Sequence, residues 1–174
     1  MSHTNIEIKA RCSDLARVRR VLQEHNADFR GVDRQVDTYF NCSHGRLKLR
    51  QGNIENALIH YDRPDDRGPK QADVTLCPAG EAGDALKAVL TAAVGVKVVV
   101  HKSREIYFID NVKFHIDDVA GLGAFVEIEA IDADNALGLE HIRSQCQCYL
   151  AMLGINDRDL VTCSYSDMLL GLTP

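Results

Sequence analysis

The ionisable residues of this chain recur at spacings that suit a polyanion and a hard cation. Arg46, Lys48 and Arg50 alternate with Leu47 and Leu49. Lys102 and Arg104 share one parity, as do Lys113, His115 and Asp117. Near the start Glu7, Lys9 and Arg11 alternate with Ile6, Ile8 and Ala10, and near the end Glu127 and Glu129 alternate with Val126, Ile128 and Ala130. In a β-strand, residues two apart share a face and lie roughly 7 Å from each other. A like-charged pair at that distance costs about 2 kcal/mol at an effective dielectric of about 20. Repeated pairs of this kind suit a face that holds counter-charges. Basic strands would hold a polyanion, and the oxygens of Asp117, Glu127 and Glu129 a hard cation. The plainer alternative is an antiparallel sheet with one face in solvent. Such faces are rich in Thr, Ser and Gln, whereas these positions are almost all ionised and sorted by sign.

Competing chemistries lack their motifs. The chain has no Walker loop, G-x-S-x-G or H-E-x-x-H. Its six cysteines, Cys12, Cys42, Cys77, Cys146, Cys148 and Cys163, form no C-x-x-C pair, and the histidines fall at no zinc-finger spacing. Free thiols are expected.

The elements that must position these charges are mostly strands. Period-two alternation predicts eight, over Ile6–Arg11, Gln35–Asn41, Arg46–Gln51, Ala57–Arg63, Gln71–Cys77, Val98–Ile109, Val112–Asp118 and Ala124–Ile131. Asp110-Asn111 is a two-residue hairpin signal, and the long strand before it is expected to bend. Three helices are expected, over Asp14–His25 with Ser13 as N-cap, Asp84–Val94 closed by Gly95, and about Asn135–Leu153 stopped by Gly154. Their apolar stripes, including Leu86, Val89 and Leu90 in the second and Leu139, Ile142 and Cys146 in the third, read as core. The order is α+β. Eight mostly antiparallel strands can close into a barrel, which removes exposed edges and would enclose the ionised face in a tunnel.

The 174 residues fit a single domain spanning 1–174, and 45% hydrophobic content suffices for a real core. A net charge of −5 argues against a general nucleic-acid binder. No apolar run approaches the roughly 18 residues of a membrane span, and the first residues lack the basic and apolar regions of a signal peptide. The expected setting is cytoplasmic, without membrane or nucleic-acid partners, as a monomer or homodimer.

Five segments in this order resemble the CYTH family, the triphosphate tunnel metalloenzymes that include class IV adenylyl cyclases, thiamine triphosphatases and tripolyphosphatases. They are Ile6-Glu7-Ile8-Lys9-Ala10-Arg11, Gln35-Val36-Asp37-Thr38-Tyr39-Phe40, Gly45 to Arg50, Lys102 to Tyr107, and His115 to Glu129. The resemblance implies an eight-stranded tunnel that binds a triphosphate through Lys and Arg, with Mg²⁺ or Mn²⁺ on carboxylates. It places Lys9, Lys48, Arg50, Lys102 and Arg104 on phosphate, with Arg46, Arg63 and Lys113 as further lining residues. Glu7, Asp117, Glu127 and Glu129 fall at metal-binding positions, and Glu7 and Lys9 would orient the attacking water. One departure stands out: Asn5 takes the place of the first Glu in the family's Glu-x-Glu-x-Lys signature. The implied activity is hydrolysis of a short linear triphosphate (tripolyphosphate, thiamine triphosphate or a nucleoside triphosphate). The alternatives are conversion of ATP to cyclic AMP and pyrophosphate, or polyphosphate or nucleotide binding without turnover.

Overall fold

Alternation along the strands produces a ring with its ionised face inside. The structure is a computed structural model and describes residues 2–62, 69–134 and 136–171. The strands are β1 (Ser2–Arg11), β2 (Asp28–Phe40), β3 (Arg46–Gln51), β4 (Asn56–Asp62), β5 (Lys70–Pro78), β6 (Val96–Ile109), β7 (Val112–Val119) and β8 (Gly123–Asp132). They form a closed barrel in the order β1-β5-β4-β3-β2-β6-β7-β8, every neighbour antiparallel. Closure comes from β8 pairing back onto β1, with Glu7 opposite Glu129 and Lys9 opposite Glu127. Asp110, at φ 51°, makes the tight β6–β7 turn, as its sequence predicts.

The largest hydrophobic cluster lies outside this ring, and a second, including Tyr39, Ala57, Ile59, Tyr61 and Tyr165, lines its interior. Ile6, Ile8, Phe114, Ile116, Val126 and Ile128 point outward from β1, β7 and β8. Against them pack α1 (Leu15–Glu24) through Val18 and Leu22, and α3 (Leu139–Met152) through Ile142 and Cys146. A smaller cluster of Phe40, Leu49 and Ala79 receives Leu86 and Leu90 of α2 (Gly83–Val94). Two expected core positions are not buried: Val89 is 65% exposed and Leu139 40% exposed. Helix α2 lies on the barrel rim with one narrow stripe inward, and Leu139 opens α3 before the helix reaches the sheet. The N-cap of α1 is Asp14, not Ser13, and accepts from the Arg17 N–H. All six cysteines are free.

Strand β2 begins seven residues before the alternation does. Its first half, Asp28–Arg34, pairs with the far half of β6 and is largely exposed, so no burial pattern marks it. Register shifts between Phe29 and Gly31 and between Tyr39 and Phe40 bend this long ribbon. A short fourth helix, α4 (Tyr165–Leu169), follows the strand-like contact of Leu160 with Ala10. Ser164 and Asp167 form its capping box, a Ser-x-x-acid pattern visible in the sequence. No helix of the described residues is long and apolar enough to cross a membrane.

The β3–β4 hairpin is pinned from below by Asp33. This fully buried carboxylate accepts from the Ile54 and Glu55 N–H groups and from Gln35 Nε2. A Cβ on Gly52 would meet Asp33 Oδ1 at 2.4 Å. Gly52→Ala should therefore displace the carboxylate and strand buried donors, lowering stability by about 1–3 kcal/mol. Thermal or urea unfolding checks this, and an unchanged midpoint would contradict it.

Candidate functional site

A cavity of about 350 Å³ runs inside the barrel. Its lining includes Lys9 from β1, Lys48 and Arg50 from β3, Lys102 and Arg104 from β6 and Lys113 from β7, with Glu7, Glu127 and Glu129. The strand parity read from sequence thus brings nearly all the expected residues to one space. Exposed Asn56 and Pro78 lie at its mouth. The opposite end is covered by α4 and the segment before it: Tyr165 sits under the Lys9 ammonium at 3.9 Å and donates to Asp117 at 2.8 Å.

Ions enclosed in this way need partners, and two nested networks supply them. In the first, Asp37 accepts from Arg50 through two bonds of 2.9 Å, from Lys48 at 3.1 Å and from Lys102 at 3.3 Å. Burial would push the Asp37 carboxyl up, but Arg50, Lys102 and Lys48 hold it well below the usual carboxylate range. Glu55 joins from the β3–β4 hairpin, bonding Arg50 at 2.8 Å and also Lys113. In the second, Arg104 grips Asp117 at 2.7 and 2.5 Å and Glu127 at 2.6 Å, while Lys9 lies 3.1 Å from Glu127. Burial lowers the Arg104 pKa, but Asp117 and Glu127 outweigh it and keep the guanidinium firmly charged.

Two groups are left out of balance. Burial, reinforced by Arg104 and only partly opposed by Asp37, pulls the Lys102 ammonium down to about 7. Burial and Arg104 also take His115 to about 4, so its ring is neutral at pH 7. Its Nδ1 lies 3.1 Å from Glu127 Oε2. An ionised carboxylate can only accept, so Nδ1 carries the proton and Nε2 is an acceptor. That Nε2 and Asn5 Oδ1 are buried without a hydrogen-bond partner. Both residues line the cavity. Orphaned acceptors are satisfied by a cation or a water.

Carboxylate and amide oxygens of Asn5, Glu7 and Glu129 lie together where β1 meets β8. Asn5 Nδ2 bonds Glu129, and Glu7 faces Glu129 across the β1–β8 ladder. Asp117 and Glu127 are occupied by Arg104, so they hold the cationic wall in place. Among the described residues no group of three or more His, Cys, Asp or Glu is arranged around one ion position. Such oxygens fit a hard divalent cation that takes a few protein ligands and completes its shell with water and substrate.

Other expected residues lie elsewhere. Arg46 sits at the rim, held by Asp167 at 2.8 Å, and does not line the cavity. Arg63 falls outside the described residues. Asp118 is exposed, as its parity implies. Tyr39 also lines the cavity, whereas Tyr107 packs outside the barrel. Sequence reasoning missed Asp37, Glu55 and Tyr165. Asp37 was legible as a lone acid sharing parity with Gln35 and Tyr39. Glu55 sits in a turn, where parity carries no information.

The CYTH domain family model matches residues 3–165. The PH1012 protein of Pyrococcus horikoshii OT3 superposes with a TM-score of 0.78 at 24% identity, covering 94% of this chain and 98% of that one. A Vibrio parahaemolyticus protein described as a candidate adenylate cyclase gives 0.79 at 15% identity over 98% and 99%. The Schizosaccharomyces pombe RNA triphosphatase Pct1, in complex with the Spt5 CTD, gives 0.52 at 10% identity over 91% and 85%. At these identities the likeness is one of fold. No curated protein matches the chain.

The Asn5–Glu129 contact yields a test that needs no turnover. In Asn5→Asp a donor becomes a second carboxylate beside Glu129, which destabilises the barrel unless a cation bridges them. The variant should melt several degrees below the parent in EDTA and recover with millimolar Mg²⁺ or Mn²⁺. A deficit that metal leaves unchanged would place the cation elsewhere.

Proposed function

Since the chain belongs to the CYTH family, we propose that its barrel binds a short linear triphosphate with Mg²⁺ or Mn²⁺ and hydrolyses it. The observation carrying this reading is that Lys9, Lys48, Arg50, Lys102, Arg104 and Lys113 all line one cavity inside a closed ring. Phosphoryl transfer depends mainly on positioning and on neutralising charge, and needs no covalent group from the protein.

In this reading Lys48, Arg50 and Lys102 form one phosphate cradle, pre-set by Asp37, and Arg104, Lys9 and Lys113 form the facing one. Glu7, Glu129 and the Asn5 amide oxygen hold the cation, with Glu127 and Asp117 fixing Arg104 behind it. A bound Mg²⁺ or Mn²⁺ would neutralise phosphate oxygens and acidify a coordinated water. Glu7 and Lys9, successive on the inner face of β1, orient the water that attacks the terminal phosphorus. The new bond is water oxygen to phosphorus, the bridging P–O bond breaks, and the shorter phosphate leaves with the electron pair. Asn5 contributes an oxygen without charge, so turnover is expected to be slow. Cyclisation of ATP is the second reading, favoured only by the fold shared with the Vibrio protein.

A screen of tripolyphosphate, thiamine triphosphate and ATP with Mg²⁺ or Mn²⁺, products separated, tests the proposal. Metal-dependent orthophosphate release, lost in Lys48→Ala with Arg50→Ala, is the expected result. Cyclic AMP as main product would replace the hydrolase reading, and binding without turnover would leave a binder.

Lys102 adds a pH dependence. A bound anion raises its pKa above the free value near 7, so binding above pH 7 must take up a proton. Affinity should hold below pH 7 and fall as pH rises, by up to about ten-fold per unit. Lys102→Arg, titrated against the same ligand, should remove this slope. Identical pH profiles for parent and variant would contradict the assignment.

A further inference from the structure

Among the described residues that line the cavity, β4 and β5 contribute no charge; Lys70, on the inward parity of β5, is drawn to the Val161 and Thr162 carbonyls at the closed end. The inward positions of β4 and β5 within the cavity are Ala57, Ile59, Ala72, Val74, Leu76 and Pro78, with the Tyr61 ring beside them. In the ring order, β5 stands diametrically across from β6, and β4 from β7. Lys102, Arg104 and Lys113 therefore look across the cavity at an aliphatic wall. Val74 and Leu76 are only partly buried although they point into the barrel. Both pack against the inner cluster of Tyr39, Ala57, Ile59 and Tyr61, and part of their surface lines the cavity.

Among the described residues the charged side is also close to neutral. The six lining cations have carboxylate partners in Asp37, Glu55, Asp117 and Glu127. Glu7 and Glu129 bring the acids of this network to six as well. An inorganic polyanion thus gains little from net charge and nothing from the apolar wall. The six aliphatic side chains on that wall offer no hydrogen bond to a purine or pyrimidine edge, and the polar groups nearest them are Asn56 at the mouth and Tyr61.

From this geometry we infer that the ligand is an oligophosphate ester of an uncharged hydrocarbon alcohol. Its phosphates lie on the cations of β3, β6 and β7, and its alkyl or prenyl group lies along β4 and β5 inside the barrel. The inference rests on the phosphate placement proposed above and adds the organic group. Each buried methylene strengthens binding without requiring a further cation.

Isothermal titration with Mg²⁺ of two ligands that share a phosphate count, pyrophosphate and dimethylallyl diphosphate, tests it. The ester is expected to bind at least about ten-fold more tightly. It should also bind more tightly than ATP or thiamine triphosphate relative to tripolyphosphate. Leu76→Ala and Val74→Thr should each lower the ratio of ester to pyrophosphate affinity; if either fails to fold, the ratio in the parent protein still decides. Equal affinity for ester and pyrophosphate, with both binding, would overturn this inference and leave the phosphate reading standing. Binding of neither those two nor tripolyphosphate would overturn both.

Discussion

Enclosing ions is the constraint from which the rest of the structure follows. When eight strands close into a ring, the alternate faces of β1, β3, β6, β7 and β8 put lysines, arginines and glutamates where water is scarce. A buried charge without a partner costs several kcal/mol, and removing one member of a buried pair typically costs about 3–5 kcal/mol. The barrel answers with Asp37 under Lys48, Arg50 and Lys102, and with Asp117 and Glu127 around Arg104. These carboxylates hold the cations at fixed positions before any ligand arrives. A phosphate then meets a preorganised surface, though one whose charge is already largely spent.

That arrangement turns the usual layering inside out. The apolar faces of β1, β7 and β8 point away from the barrel axis, so α1 and α3 cover them from outside. The C-terminal segment does a different job. Val161 N–H bonds Lys9 O, Lys70 bonds Val161 O and Thr162 O, and Tyr165 reaches Asp117. It thereby closes one end of the barrel and orders the two ends of the second ion network. Asp33 and Gly52 do the equivalent for the hairpin that presents Glu55.

Much of this was readable along single strands. Parity identified the inward lysines, arginines and acids because a strand's two faces alternate without exception, and Asp110-Asn111 announced its hairpin. What stayed hidden depends on contacts across the ring. Spacing cannot tell whether Asp117 faces a metal or a guanidinium, and here Arg104 takes both its oxygens. Glu55 enters from a turn. The aliphatic runs of β4 and β5 read as ordinary strand residues, and only the ring order sets them opposite the cations. Exposed Val89 shows the converse: helical spacing marks a stripe without saying how much of it the barrel rim can cover.

The central claim is that the barrel interior is the anion site and that the Asn5–Glu7–Glu129 oxygens hold its cation. A crystal structure with tripolyphosphate and Mn²⁺, with anomalous data collected for manganese, tests both parts at once. The account predicts phosphorus density between Lys48–Arg50 and Arg104–Lys113, with an anomalous peak beside Glu7 and Glu129. Phosphate density confined to the outer surface, or manganese bound away from β1 and β8, would contradict it.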